Sequence, residues 1–395
     1  MSQHPRLFGI PSLLILGLTV LVWTGCVQHV DLPVVDPEQR EVTILIPGYR
    51  GSFLQTPGPE GEVAWVRPAQ LLGNSERSLA LPFPGQRPAL DLGVLENAGP
   101  VTGFTVIPFL GEYEVYGPLM RFGREQLPGF IVHGYDWRRD IRESGAGLCQ
   151  RIEALASARG GALKVNLVAH SMGGLVALEC LRGGADGGWS ATAQKVQKLF
   201  IFGTPFDGAP GIFDDFFLGT PLGRNERLMG PDAVFSFPAA FQLLPPTGDF
   251  LLRSDGSPSS LELDLPETWT GAGWSVFADP TLVGNAAYRT HLARMLAGHA
   301  AVFSPLPQEP APFSSRVVIG QGHSTVESFP IAPDGKVDLK AARLGDGDGT
   351  VLAQRARPPG SLHAQLLFTD AEHVEMLRRP ELLRALELFL KAPQP

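Results

Sequence analysis

The chain has little cysteine and little charge for its length. Only three cysteines occur among 395 residues, which is too few for the disulfide framework that holds small secreted domains together. Charged residues make up 18% of the chain, the net charge is −8, and no long basic run is present. These features argue against a protein that binds nucleic acid and against electrostatic docking on anionic lipid. Any contact with a membrane would have to be apolar.

Long uncharged apolar runs are also scarce, and the one near the N-terminus is typical of a targeting segment. Leu7 to Trp23 carries no charge, follows Arg6 and precedes Thr24-Gly25-Cys26. A run of this length lies at the lower limit for a membrane-spanning helix and also suits a secretory signal. Gly25-Cys26 resembles a bacterial lipoprotein cleavage site, where the cysteine is lipidated, although Trp23 departs from that pattern. Plain secretion and an uncleaved anchor are the alternatives, and each implies export from a bacterial cytoplasm.

Apolar runs that end at proline or glycine alternate with helix-like segments over most of the chain. Strands are predicted at residues 42–46, 130–133, 164–168, 198–202, 316–319 and 364–368, and helices at 116–127, 146–159, 174–182 and 380–391. Continuous apolar strands are typical of a parallel sheet that is buried on both faces. The alternation therefore predicts an α/β fold with a doubly wound, mainly parallel sheet.

Two segments interrupt this alternation. The first is rich in proline and glycine, and the second is rich in phenylalanine, proline and glycine. We expect a signal segment at 1–25, a tether at 26–40, and an α/β domain at 41–395 with insertions at about 52–110 and 207–312.

The second insertion contains one amphipathic pattern. Ile212, Phe213, Phe216 and Phe217 would share one apolar face of a helix. The pattern suits an ordinary core helix and equally a lid, or lipid-facing element, over an active site.

The residues Ala169-His170-Ser171-Met172-Gly173 lie between a predicted strand and a predicted helix. This is the strand–turn–helix setting of a nucleophilic serine, whose sharp turn needs small residues two before and two after it. The backbone N–H of Met172 would point at the carbonyl oxygen that Ser171 attacks. The alternative is that Ser171 only caps the following helix.

A nucleophilic serine needs a general base and an acid that orients it, in the chain order Ser, acid, His. The glycine-rich loop from Gly345 to Val351 offers Asp346 and Asp348 as acids. A calcium loop is the alternative there, but no glutamate closes it. His363 precedes the last predicted strand, at the wrong end of it, whereas His373 follows that strand and is the predicted base.

Two further expectations concern backbone amides and thiols. The turn Pro47 to Gly51 follows the first strand, so the N–H of Tyr49 or Arg50 is the second candidate for an oxyanion donor. Cys149 and Cys180 fall on predicted helices among apolar neighbours, and we expect buried free thiols rather than a bridge.

These motifs together resemble the family of lecithin:cholesterol acyltransferase, lysosomal phospholipase A2 and phospholipid:diacylglycerol acyltransferase. The resemblance rests on segments that occur in order: Ile46-Pro47-Gly48 with Gly51, Trp65 with Leu71-Leu72, Tyr135-Asp136-Trp137-Arg138-Arg139, His170-Ser171-Met172-Gly173, Gly203-Thr204-Pro205 with Gly208, Leu243-Leu244-Pro245, Ile319-Gly320 to Thr325, Gly345 to Val351, and Glu372-His373. It implies an α/β-hydrolase fold, with Asp348 rather than Asp346 as the acid and Arg50 as the oxyanion donor. It also implies that Trp65 belongs to a membrane-binding excursion.

The resemblance implies acyl transfer from a phospholipid or other lipid ester, through an acyl-enzyme on Ser171, to water or a lipid alcohol at a membrane surface. We expect no cofactor and no metal. Asp136 and Arg138 are interpreted as a structural ion pair within an aromatic cluster. The alternatives are a carboxylesterase or lipase acting on non-phospholipid esters, and a non-catalytic scaffold or binding lipoprotein of the envelope.

Overall fold

The structure is a computed structural model that describes residues 38–58, 61–66, 70, 78–86, 96–100, 103–107, 111–183, 187–220 and 225–393. The predicted signal segment, Cys26 and Leu71-Leu72 lie outside these residues. In chain order the strands are β1 (Glu41–Ile46), β2 (Ser52–Gln55), β3 (Val63–Trp65), β4 (Glu96–Pro100), β5 (Gly103–Ile107), β6 (Gly111–Glu114), β7 (Ile131–Val132), β8 (Lys164–His170), β9 (Val196–Phe202), β10 (Leu251–Leu252), β11 (Ser314–Gly320), β12 (His323–Pro330), β13 (Arg343–Gly347) and β14 (Gln365–Thr369).

The helices flank these strands and connect them. They are α1 (Gly117–Gln126), α2 (Ile141–Ser157), α3 (Met172–Leu181), α4 (Ile212–Leu218), α5 (Pro231–Phe235), α6 (Pro238–Gln242), α7 (Pro266–Ala272), α8 (Pro280–Val283), α9 (Ala286–Val302) and α10 (Pro380–Lys391). The predicted helix at 146–159 begins earlier, at Ile141, because the Asp140 side chain accepts the N–H of Arg142 at 2.8 Å and caps the helix.

Six parallel strands form the main sheet, in the order β14-β11-β9-β8-β1-β7. Every residue of β1 and β8 after the first is buried, as expected for strands covered on both faces. The predicted α/β fold with a mainly parallel sheet is confirmed. Among the described residues, neither the 52–110 segment nor the 207–312 segment adds a strand to this sheet.

A second sheet was not predicted from the sequence. It has three strands in the order β10-β12-β13, and β12 and β13 pair antiparallel. β13 leads directly into the residues that follow Gly347, so this small sheet supports the glycine-rich acidic loop. β10 has only two residues, and β12 and β13 are largely polar without a regular alternation, so periodicity does not separate these strands from loops.

The prediction of two free thiols was wrong. Cys149 on α2 and Cys180 on α3 form a disulfide, with their Cα atoms 5.3 Å apart. That separation is ordinary for a bridged pair. Apolar spacing placed both residues on helices, but it does not show which faces of two helices meet.

No helix in the described part of the chain is both long and apolar enough to cross a membrane.

Candidate active site

Ser171 occupies the turn between β8 and α3 and has an unusual backbone conformation, with φ 55° and ψ −131°. Such a conformation is costly for a residue with a side chain, and it persists only where its surroundings hold it. The Ser171 N–H donates to the carbonyl of Phe202 at 2.8 Å, and Thr204 Oγ1 donates to the Ser171 carbonyl at 2.6 Å. The neighbouring strand β9 and the residues after it therefore hold the turn that carries Ser171, which is half-buried at the carboxyl edge of the sheet.

Two glycines allow this turn to pack closely against the end of β1. A Cβ atom on Gly173 would lie 2.6 Å from the carbonyl oxygen of Pro47, and one on Gly48 would lie 2.7 Å from Ser171 Cβ. Both contacts are too short for real carbon atoms, so a side chain at either place would separate the two segments. The close approach puts the turn after β1 directly beside Ser171.

Asp348 and His373 are brought together by the loops that follow β13 and β14. His373 Nδ1 lies 2.7 Å from Asp348 Oδ2, and the backbone N–H of His373 donates to the Asp348 carbonyl at 2.9 Å. The other carboxylate oxygen accepts the N–H groups of Thr350 at 2.9 Å and Val351 at 2.7 Å. Because an ionised carboxylate only accepts, Nδ1 carries the proton and the lone pair of Nε2 is free to take another.

The Asp348 carboxylate is buried and stays ionised. Burial raises its pKa, but His373 and the amides of Val351 and Thr350 more than offset that effect and hold the pKa below its usual value. The negative charge is therefore fixed beside the imidazole that it orients.

The two rejected candidates lie elsewhere. Asp346 Oδ1 accepts the N–H of Gly322 at 2.5 Å, and within the described residues the Asp346 carboxylate makes no hydrogen bond to His373. His363 is exposed and precedes β14, so it lies at the end of that strand opposite to His373. Of the four acid and base candidates, the geometry joins Asp348 and His373.

Ser171 and His373 are not joined by a hydrogen bond within the described residues. Ser171 Oγ makes no hydrogen bond to any other part of the chain that the structure describes. Catalytic hydrogen bonds often tighten only when substrate binds.

The candidate oxyanion donors lie on either side of Ser171. Met172 is the first residue of α3, and amides in the first turn of a helix have no intrahelical partner. Arg50 has φ 63°, its carbonyl accepts the indole N–H of Trp65 at 3.0 Å, and its guanidinium lies 3.7 Å from the carboxylate of Asp215. Arg50 is therefore held at both its backbone and its side chain.

The predicted substrate and lid residues are mostly buried. Trp65 is 6% exposed, and Phe213 and Phe216 are fully buried on α4, where both rings contact Trp269. Phe217 is partly buried and contacts Phe213 at 5.0 Å between ring centroids. The predicted amphipathic helix is present as α4. Phe213 and Phe216 lie in the core, as expected of an ordinary core helix.

The motif from Tyr135 to Arg139 forms the ion pair and aromatic cluster expected from the sequence. Arg138 is fully buried and binds the Asp136 carboxylate with two nitrogens, at 2.9 and 2.7 Å. Trp137 packs edge-on against Trp65 at 5.4 Å and Phe237 at 5.8 Å between ring centroids. This cluster connects the first insertion with the second.

A parallel sheet with a serine on a strained strand–helix turn, and an Asp–His pair beside the same edge, is the arrangement of the α/β-hydrolase fold. Across 89% of this chain and 98% of the other, the fold is similar to the crystal structure of the Tle4–Tli4 complex, with a TM-score of 0.53 and 13% identity. That likeness shows the fold alone.

The family resemblance is confirmed as well. Residues 109–264 match the family model described as lecithin:cholesterol acyltransferase. "Lecithin-cholesterol acyltransferase-like 4" of Arabidopsis thaliana is 27% identical over 203 residues, which are 45% of this chain and 36% of the relative. The match thus spans about a third of that relative's length.

Proposed function

We propose that the protein is a serine acyltransferase or phospholipase that takes an acyl group from a phospholipid or other lipid ester. The observation that carries this proposal is the buried His373–Asp348 pair, joined at 2.7 Å, beside the sheet edge where Ser171 lies half-buried on its strained turn. The family match supports a lipid ester as the acyl donor.

The reaction begins with attack of Ser171 Oγ on the ester carbonyl, while His373 Nε2 takes the hydroxyl proton. Asp348 stabilises the imidazolium that results, and the amides of Met172 and Arg50 donate to the oxyanion. The C–O bond to the leaving alcohol then breaks as His373 returns the proton to it. Water or a lipid alcohol attacks the acyl-enzyme in the same manner, and Ser171 is released.

The insertions at about 52–110 and 207–312 are proposed as a membrane-binding excursion and a lid. In the described residues, α4 lies beside the oxyanion turn through the Arg50–Asp215 ion pair, and Leu218 at its end is 62% exposed. An exposed leucine on a helix that is tied to the oxyanion turn suits contact with lipid. A second candidate function is that of an esterase or lipase for non-phospholipid esters. The burial of Phe213 and Phe216 favours it, because fully buried rings do not contact a lipid surface.

We also propose export, with a signal segment at 1–25, a lipidated Cys26 and a tether at 26–40. The Cys149–Cys180 disulfide supports an oxidising compartment. A lipoprotein would fractionate with membranes and resist a high-salt wash, because more than one acyl chain holds a protein stably. Cys26→Ser would release it or block processing, and mass spectrometry that shows an unmodified Cys26 in the mature protein would contradict the anchor.

The function is tested with purified protein on phospholipid vesicles, with and without a long-chain alcohol. We expect release of fatty acid, formation of an ester with the alcohol, or both, and neither with Ser171→Ala. Turnover of short soluble esters without any action on vesicles would favour the second candidate. Equal turnover by Ser171→Ala on any ester would contradict both.

A further inference from the structure

Tyr116 and His170 are buried polar side chains that the acyl-transfer steps do not use. Tyr116 is 1% exposed and His170 is 4% exposed. Buried polar groups of this kind need hydrogen-bond partners, and the identity of the partners shows what the groups hold in place. Here the partners belong to the two loops on either side of Ser171.

A continuous chain of hydrogen bonds joins these loops. The Gly48 N–H lies 2.7 Å from Tyr116 Oη, which lies 2.7 Å from His170 Nδ1, and His170 Nε2 lies 3.1 Å from the carbonyl oxygen of His373. The directions follow because an amide only donates and a carbonyl only accepts. Tyr116 therefore donates its hydroxyl hydrogen to Nδ1, and His170 is the neutral tautomer with its proton on Nε2.

The neutral state of His170 suits its position. Burial, together with the nearby His373, lowers the pKa of His170 to about 3. The two imidazole rings are 4.7 Å apart between centroids. A neutral neighbour does not oppose the positive charge that His373 gains when it takes the serine proton.

We propose that Tyr116 and His170 are positioning residues that set the distance between the oxyanion turn and the loop of the general base. This inference rests on the proposed function. The His373 backbone is held on both sides, since its N–H donates to Asp348 at 2.9 Å and its carbonyl accepts from His170. A displacement of either loop would separate the oxyanion donors from the base, and small displacements of catalytic groups are costly in rate.

The test measures kcat and KM on a short soluble ester for Tyr116→Phe, His170→Gln and the double variant. We expect kcat to fall about 10- to 100-fold in each, with KM changed less than about twofold because neither side chain is proposed to touch substrate. The kcat of the double variant should be no lower than that of the less active single variant, because both substitutions break the same connection. His170→Gln should keep more activity than His170→Phe, because glutamine can still donate to the His373 carbonyl.

Tyr135→Phe is the matched control. The Tyr135 hydroxyl donates to the Pro47 carbonyl at 2.6 Å, on the same turn that Tyr116 holds. Within the described residues, Tyr135 and His170 are not joined by a hydrogen bond. The losses of Tyr135→Phe and His170→Gln should therefore multiply, whereas those of Tyr116→Phe and His170→Gln should not.

Labelling with a fluorophosphonate separates this inference from the function on which it rests. Wild-type protein that is not labelled at Ser171 would overturn both. If the wild type is labelled, two results would overturn the coupling alone. One is that the kcat losses of Tyr116→Phe and His170→Gln multiply in the double variant, and the other is that these variants show a raised KM with an intact kcat. Thermal unfolding of each variant identifies those that fold. If Tyr116→Phe does not fold, equal kcat values for His170→Gln and His170→Phe would overturn the proposal.

Discussion

The loops around Ser171 and the helices of the 207–312 segment are held together in different ways. Around Ser171, backbone groups and short polar contacts fix each residue, as in the two amides and one imidazole that bind Asp348. Around α4, aromatic rings pack mostly edge to face. The ring of Phe213 alone packs against the rings of Phe217, Phe250, Trp269, Trp274 and Phe329. The first region is specified by hydrogen-bond geometry and the second by volume and burial.

This difference predicts how each region responds to substitution. A change of one polar atom near Ser171 should alter chemistry more than stability, because few apolar contacts are lost there. A truncated ring in the aromatic cluster should alter stability first, because it leaves a cavity. Four variants or pairs of variants test this contrast, in order of decreasing effect.

The largest effect is expected at Asp348. Asp348→Asn should lower kcat about 10³- to 10⁴-fold, because the amide no longer fixes the protonated Nδ1 of His373. Asp346→Asn, in the same loop, is the matched control and should keep near-normal kcat. Steady-state kinetics on a soluble ester checks both, and a larger loss in the Asp346 variant would assign the acid to that residue instead.

The next effect concerns stability. Phe213→Ala should lower the free energy of unfolding by about 3–5 kcal/mol, because the ring is fully buried. Leu218→Ala, on the same helix but 62% exposed, should change it by less than about 0.5 kcal/mol. Urea unfolding measures both. A stable Phe213→Ala that loses activity only on vesicles would instead indicate a lid residue.

The disulfide should contribute less than the ring. Cys149→Ser with Cys180→Ser should lower the free energy of unfolding by about 2–4 kcal/mol, since the unfolded chain loses its crosslink. The kcat of the folded double variant should stay close to that of wild type, because the bridge joins α2 and α3 away from Asp348 and His373. A large fall in kcat would show that α3 needs the bridge to present Ser171.

The effect that builds up most gradually is a pH dependence at His170. Its folded-state pKa of about 3 lies below the unfolded value of about 6.5, so the unfolded chain binds more protons between these values. The stability that His170 contributes is thus fully present above about pH 6.5 and is lost progressively as the pH falls towards the folded value. Relative to wild type, His170→Gln should show a shallower loss between pH 6 and about pH 4. Parallel curves would contradict the buried neutral state.

Much of the fold was predictable because its signals are local. The strand at 42–46 and the helix at 380–391 each have an apolar pattern that a buried parallel sheet or a packed helix requires. The order of Ser171, Asp348 and His373 along the chain, together with the loops around them, pointed to the site before any distance was known. The structure joins Asp348 to His373, while the role of all three in catalysis stays a prediction.

The remainder depends on contacts between distant segments. The Cys149–Cys180 bridge requires two helix faces to meet, and the burial of Phe216 requires Trp269 and Phe241 to close over it. The hydrogen bond from His170 to the His373 carbonyl spans a sequence separation of 203 residues. Periodicity describes one segment at a time and contains no information on such partners.

The central claim is that Ser171 is the nucleophile that His373 and Asp348 activate. The most direct measurement is fluorophosphonate labelling of the purified protein, with the modified peptide located by mass spectrometry and the rate compared between wild type and His373→Ala. The account predicts one label per chain, on Ser171, formed at least about 10³-fold more slowly in His373→Ala. Labelling at another serine, or at an equal rate without His373, would contradict it.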